Sequence, residues 1–174
     1  KQHLEMARDM AIRFNQIFRE VFIIPEADIN HETQLVSGID GRKMSKSYDN
    51  TIPVFCDEKT LKKKVMSIVT DSTPISKPKS IDSAIFQIYS LFLDENETLK
   101  LKNRFNAPGL KYGDVKKEIF ERIWTYFEPY RTNRSYLINN RDHVENILSN
   151  GADKASEIGE AFLEKVRNAV GLNY

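Results

Sequence analysis

Cysteine is almost missing from this sequence of 174 residues, since Cys56 is the only one. A single cysteine cannot form a disulfide within the chain, and it cannot supply a Cys-rich zinc or iron–sulfur site. Long apolar runs are missing too, and none approaches the ~20 residues that a membrane-spanning helix needs. These absences argue against membrane residence, and the lone cysteine fits a reducing cytoplasm.

An excess of one charge is also lacking, because 26 basic residues stand against 25 acidic ones and the net charge is +1. Any attraction to nucleic acid must therefore come from local patches and not from the field of the whole protein. Apolar residues make up 40% of the chain and charged residues 29%, which is ordinary for a soluble protein. A chain of this length can form one full core, or a small domain attached to part of another.

The apolar residues of most of the chain recur at the i, i+3, i+4 and i+7 spacing of an amphipathic helix. This spacing predicts helices over residues 7–21, 57–69, 81–92, 99–105 and 114–137, and after residue 151. Asp57 and Asp114 are predicted to cap two of them, and Pro129 to interrupt the fifth. A brief strand from Glu32 to Ser37, followed by a turn, is predicted between the first and the second of these helices. Helices at this density favour a bundle over a βαβ repeat.

A polar segment of five residues follows the predicted strand and turn: Lys43-Met44-Ser45-Lys46-Ser47. We call it the lysine loop. Two ammonium groups three positions apart can point to the same side of a turn, and the two serines add hydroxyl donors. Such a clamp stabilises the charge on a leaving pyrophosphate more in the transition state than in the ground state. It is not a Walker A loop, because the required Gly-x-x-x-x-Gly-Lys is missing. A random string of such residues would be better explained as exposed surface.

The order of these five residues resembles the signature loop of class I aminoacyl-tRNA synthetases. The flanking segments, Gly38-Ile39-Asp40-Gly41-Arg42 and Tyr48-Asp49-Asn50, are similar to the tryptophanyl branch of that family. Further likeness lies at residues 1–9, 69–72 and 111–116, so it extends over nearly the whole chain. The family's His-x-Gly-His and Gly-x-Asp-Gln motifs are not in the sequence, and no initiator Met precedes the helical pattern at its start. We therefore expect the C-terminal half of a larger enzyme.

The resemblance implies a mainly α-helical fold in two parts. Residues 1–72 are expected to be the C-terminal part of a Rossmann-like nucleotide-binding domain, and residues 73–174 an α-helical bundle domain that binds the tRNA anticodon. The full enzyme is expected to activate L-tryptophan with ATP, as Mg-ATP with Mg²⁺, and to transfer it to tRNA(Trp). A cytoplasmic homodimer is implied as well, with no metal ligated by protein side chains. This half alone is expected to be inactive.

The resemblance also implies roles for residues in and before the lysine loop. Lys43 and Lys46 are the predicted catalytic residues, which stabilise the leaving pyrophosphate. Leu35 is expected where the family's backbone contacts adenine, although a plain core position explains it nearly as well. The complete predicted set of ATP-binding residues is Leu35, Lys43, Met44, Ser45, Lys46 and Ser47.

A second class of function stays open at this point. In that alternative, a non-catalytic helical bundle docks RNA or protein, and the lysine loop only touches phosphate. Arg131, Arg134 and Arg141 are candidate RNA contacts in either case, against the simpler explanation of an exposed helix face. The sequence that precedes Lys1 would separate the two classes, because the two missing motifs belong only to the enzyme.

Overall fold

The computed structural model describes residues 2–28 and 35–172. Those residues form seven α-helices and one short 3₁₀ helix, Lys46–Tyr48, and no β-strand. The prediction of a mainly helical fold is therefore confirmed. Residues 32–34 of the predicted strand lie outside the described residues, and Ser37 makes only an isolated antiparallel bridge with Lys43. The helices are α1 (Gln2–Ile17), α2 (Glu58–Met66), α3 (Ala84–Ser90), α4 (Glu95–Asn106), α5 (Tyr112–Tyr126), α6 (Glu128–Asn139) and α7 (Arg141–Val170).

The contacts divide the chain into two compact units. One unit comprises Lys1–Asn30 together with Tyr136–Tyr174, and the other comprises His31–Ser135. The domain boundary at residue 72 stays a prediction, because compactness does not say which family domain a segment belongs to.

The unit His31–Ser135 is built around one apolar core. Helix α5 packs against both α2 and α3 in this core. Asp57 caps α2 as predicted, because its Oδ1 accepts the Thr60 N–H at 2.9 Å. The apolar side chains with the least exposure in this core are Leu61, Val65, Ile68, Ile85, Ile88, Leu101, Phe105, Val115, Ile119 and Ile123.

Two helix starts differ from the prediction. α5 begins at Tyr112 with Lys111 as its cap residue, and Asp114 lies in its first turn, where a carboxylate is favoured by the helix dipole. α7 begins at Arg141 and continues through Gly151 over 30 residues. One glycine costs a helix only ~1 kcal/mol relative to alanine, which is too little to end so long a helix. Although α7 has the length to cross a membrane, no helix of the described ranges is also apolar enough.

Helix α1 ends at Ile17 and not at Val21, where the apolar periodicity stops. The side chain of Asn15 explains the difference. Its Oδ1 accepts the N–H groups of Val21 and Phe22, each at 3.0 Å, and its Nδ2 donates to the Phe22 carbonyl at 2.8 Å. The chain is thereby turned back, and the Phe22 ring packs edge-on against Phe162 with centroids 5.3 Å apart.

Candidate functional site

The lysine loop starts from a tight backbone turn. Gly38 N–H donates to the Arg42 carbonyl at 2.7 Å, and the antiparallel bridge joins Ser37 to Lys43. Gly41 has a φ of +81°, a conformation that residues with a side chain rarely adopt. This turn fixes the direction in which the chain enters the loop at Lys43.

The second half of the loop is the 3₁₀ helix. Ser45 begins it, because its Oγ accepts the Ser47 N–H and its carbonyl accepts the Tyr48 N–H, both at 3.2 Å. Asp49 ends it with a φ of 48°, and its N–H donates to the Lys46 carbonyl at 3.2 Å. Lys46 is therefore the first residue of a capped helical turn.

Asn50 joins the two halves of the loop from the inside. Its side chain is buried, with 1% exposed. Oδ1 accepts the Ser45 N–H at 2.8 Å, while Nδ2 donates to the Lys43 carbonyl at 3.1 Å and to Asp40 Oδ1 at 2.8 Å. Both the oxygen and the nitrogen of this buried amide thus have partners.

Asp40 carries a charge that organises the turn. The side-chain hydrogen bond from Asn50, together with those from Arg42, lowers the pKa of Asp40 from 3.8 to about 2. Arg42 contacts this carboxylate through Nε and Nη2, each at 2.7 Å. The Arg42 guanidinium also lies 4.8 Å from the centre of the Tyr48 ring, so it links the entry turn to the 3₁₀ helix.

We predict that stability depends on pH through Asp40. Because its folded-state pKa is lowered, the ionised carboxylate contributes fully above pH 3.8, and this contribution is lost as the pH falls towards 2. Asp40→Asn should therefore be less stable than the parent at pH 5, and the difference should shrink as the pH falls. Urea unfolding of both proteins at several pH values measures it. A difference that stays constant down to the lowest pH would contradict the assignment.

The lysine loop is mounted on the helices of its own unit. The Ser37 hydroxyl donates to Gln87 Oε1 on α3. On α2, Lys64 Nζ lies 3.2 Å from Asp49 Oδ1 and 3.3 Å from the Asp49 carbonyl, at the end of the 3₁₀ helix. Two helices that contribute to the core therefore hold the beginning and the end of the segment.

The two predicted catalytic lysines are accessible. Lys43 and Lys46 are exposed, and neither pairs with a carboxylate among the residues that the structure describes. Of the other predicted ATP-binding residues, Met44 and Ser45 are half-buried and Ser47 is exposed. Leu35 is 62% exposed, which does not fit the alternative of a plain core position. The loop therefore presents two free cations on a fixed backbone.

A second polar cluster connects two segments that carried the family resemblance. The Tyr112 hydroxyl donates to Asp71 Oδ1 at 3.1 Å. Burial, and then this hydrogen bond, raises the pKa of Tyr112 to about 12. Lys79 is only 4% exposed; its Nζ donates to the carbonyls of Thr73 and Pro74 and lies 4.9 Å from the centre of the Tyr112 ring. This cluster fastens the loop of residues 70–79, which lies between α2 and α3, to the start of α5.

The predicted RNA-contacting arginines have different environments. The Arg131 guanidinium lies 3.6 Å from the centre of the Trp124 ring and donates to the Trp124 carbonyl, so it packs within the protein. The guanidinium of Arg134 lies 5.7 Å from the Phe55 ring centre. Arg141 stands at the start of α7, beside an open cavity of about 700 Å³. The other residues that line this cavity are Ile138, Asn139, Asn140, Asp142, His143 and Asn146.

Sequence reasoning assigned no role to Asp40, Arg42 or Asn50. Asn and Asp are common in exposed turns, so nothing in one sequence marks an asparagine as buried. The available signal was Gly38, because a Cβ added there would lie 2.3 Å from Asn50 Nδ2. That signal becomes readable only after the chain has folded.

Known proteins resemble this chain along nearly its whole length. A curated tryptophan–tRNA ligase of Fusobacterium nucleatum is 45% identical over 173 residues, which are 99% of this chain and 53% of the relative. One of Campylobacter jejuni is 43% identical, with 98% and 54% covered. The crystal structure of Campylobacter jejuni tryptophanyl-tRNA synthetase complexed with ADP and tryptophan superposes with a TM-score of 0.80, at 43% identity and with the same shares covered.

The family profile described as "tRNA synthetases class I (W and Y)" matches residues 1–128. The matched part contains the lysine loop, Asn50 and helices α2 to α5. The chain spans about half the length of the curated relatives named above. A match over that much of the sequence settles the family: the chain belongs to the class I tRNA synthetases of the W and Y group.

Proposed function

We propose that this chain forms the C-terminal half of a tryptophan–tRNA ligase, which activates L-tryptophan with ATP and transfers it to tRNA(Trp). The observation that carries the proposal is the lysine loop: two exposed ammonium groups on a backbone that is tied at both ends. The curated relatives are named tryptophan–tRNA ligases, and one similar structure is described as complexed with ADP and tryptophan.

Lys43 and Lys46 act on the polyphosphate of ATP in this proposal. When the tryptophan carboxylate attacks the α-phosphorus, the bond from that phosphorus to the bridging oxygen breaks and negative charge moves onto the pyrophosphate. The two ammonium groups stabilise this charge most strongly in the transition state. Ser45 and Ser47 add hydroxyl donors, and the backbone of Leu35, an exposed residue, is assigned to the adenine. Mg²⁺ supplied with the ATP would add positive charge that offsets part of the phosphate charge.

The remaining parts of the proposal concern fold and partners. Residues 1–72 are assigned to a Rossmann-like domain and residues 73–174 to an anticodon-binding helical domain, within a cytoplasmic homodimer. The cavity at the start of α7 supports a role in RNA binding, because amide and guanidinium groups such as those of Asn139, Asn140 and Arg141 can bind the edges of unpaired bases. Arg131 is left out of this assignment, since it is engaged with Trp124.

The test uses two proteins, the 174-residue chain alone and a joined enzyme. In the joined enzyme, the part of the Fusobacterium relative that this chain does not match is fused before Lys1. We expect tryptophan-dependent ATP–pyrophosphate exchange and charging of tRNA(Trp) by the joined enzyme only, because catalysis requires groups that both halves hold in one geometry.

Two results would count against this proposal. Exchange by the chain alone, well above a protein blank, would contradict the assignment to an incomplete half. A folded joined enzyme that binds tRNA(Trp) without any exchange would instead support the alternative function, a helical module that docks RNA.

A further inference from the structure

The contacts of Lys43 and Lys46 do not explain what holds the lysine loop in its conformation. Lys43 and Lys46 make no ion pair in the described part of the chain, so their own charges do not hold them in place. Long lysine side chains lose entropy when they are ordered, so their backbone positions must be fixed by other groups for the two charges to act together.

Among the residues that the structure describes, Asn50 is the one buried polar side chain that bonds both halves of the loop. It receives the Ser45 N–H, which lies one residue before Lys46, and it donates to the carbonyl of Lys43 itself. The space for it depends on Gly38, where a Cβ would lie 2.4 Å from Asn50 Cγ. The Asn50 side chain and the space left free at Gly38 therefore together set the distance between the backbones of Lys43 and Lys46.

The orientation of the Asn50 amide is fixed by charge. Asp40 is ionised at neutral pH and can only accept hydrogen bonds, so the amide must turn its NH₂ towards Asp40 and its oxygen towards the Ser45 N–H. The opposite orientation would place two oxygens 2.8 Å apart. Arg42 holds Asp40 from the other side, so the carboxylate cannot turn away without breaking an ion pair.

We propose that Asn50 is a positioning residue for adenylate formation: paired with Asp40, it holds Lys43 and Lys46 in the relative geometry that stabilises pyrophosphate. This inference rests on the proposed function. Asn50 acts through the loop backbone and does not touch the substrate. Its removal should therefore lower the rate of the chemical step and leave ATP binding nearly unchanged.

Asn50→Asp in the joined enzyme is the decisive variant, because it keeps the size and the acceptor for the Ser45 N–H. It removes both donated hydrogen bonds and sets two carboxylates against each other. We expect kcat for pyrophosphate exchange to fall by about 10- to 100-fold, the scale of a misplacement near 1 Å, with the KM for ATP changed less than about threefold. Rates are expressed per folded enzyme, from active-site titration.

A matched control is Asn15→Asp, which removes the amide donor to the Phe22 carbonyl in the other compact unit. It makes the same chemical change at another asparagine that bonds backbone groups, and exchange kinetics should stay at the parental value.

The second experiment is a rescue. Asp40→Asn combined with Asn50→Asp restores a hydrogen-bond donor that faces an acceptor. The double variant should recover at least part of the kcat lost in Asn50→Asp.

An unchanged kcat in Asn50→Asp would overturn the inference, and so would a double variant that is no faster than Asn50→Asp. Equal losses in Asn15→Asp would also overturn it, because they would show a general response to the loss of an asparagine amide that bonds the backbone. If the parental joined enzyme shows no tryptophan-dependent exchange, the proposed function fails first, and the inference with it. An active parent with an unaffected Asn50→Asp removes the inference alone.

Discussion

Lys46→Ala in the joined enzyme should lower the rate of tryptophanyl-adenylate formation by about 10²–10³-fold, the loss expected when one preorganised donor to a developing anion is removed. Lys46 is exposed, opens the capped 3₁₀ turn and has no carboxylate partner in the described part of the chain. Its charge is therefore available to the pyrophosphate. Single-turnover formation of the adenylate measures the effect, and tryptophan binding should change little.

A suitable control is Lys63→Ala. Lys63 is another exposed lysine of the same compact unit, on α2, where alanine is a good helix former. It removes the same charge from a site without a proposed role, and adenylate formation should remain at the parental rate. A parental single-turnover rate in Lys46→Ala would remove Lys46 from the mechanism, whereas equal losses in both variants would indicate a general effect of charge.

The helical character of the chain could be predicted from sequence because apolar spacing reports which face of a helix is buried. The limits of α1 and α7 could not. α1 ends early because the Asn15 side chain competes for backbone N–H groups, and α7 passes through Gly151 because one glycine costs too little to end a helix of 30 residues. Neither effect leaves a periodic signal.

The candidate site, too, could be predicted from the sequence only in part. Lys43 and Lys46 could be proposed from sequence because paired cations in a serine-containing loop have a direct chemical meaning. The support beneath them could not, since Asn50 and Asp40 acquire their roles only from burial and from each other. Residue types are enough to predict the chemistry of exposed groups. The preorganisation of the two lysines depends on contacts between residues, which one sequence does not show.

Beneath the lysine loop lies the core of its unit, and Phe105 is its largest fully buried side chain. The Phe105 ring, at the end of α4, meets the Phe86 ring of α3 edge-on with centroids 5.1 Å apart. Its carbonyl accepts the Lys79 N–H at 2.7 Å, where the 70–79 loop ends. Phe105 therefore connects α3, α4 and the loop of residues 70–79, which the buried Lys79 holds in place.

Phe105→Ala should lower the free energy of unfolding by about 3–5 kcal/mol, the sum of lost transfer free energy and the cavity left among helices that cannot fully collapse. Leu99→Ala on the same helix is the matched control, because Leu99 is 57% exposed and should cost about 0.5 kcal/mol or less beyond propensity. Urea unfolding followed by the fluorescence of Trp124, the only tryptophan of the chain, measures both in the unit that contains the lysine loop. A loss below about 1 kcal/mol in Phe105→Ala would mean that the core rearranges around the deletion. It would then follow that the packing of α4 against α3 does not fix the position of α3, which is one of the two helices that hold the loop.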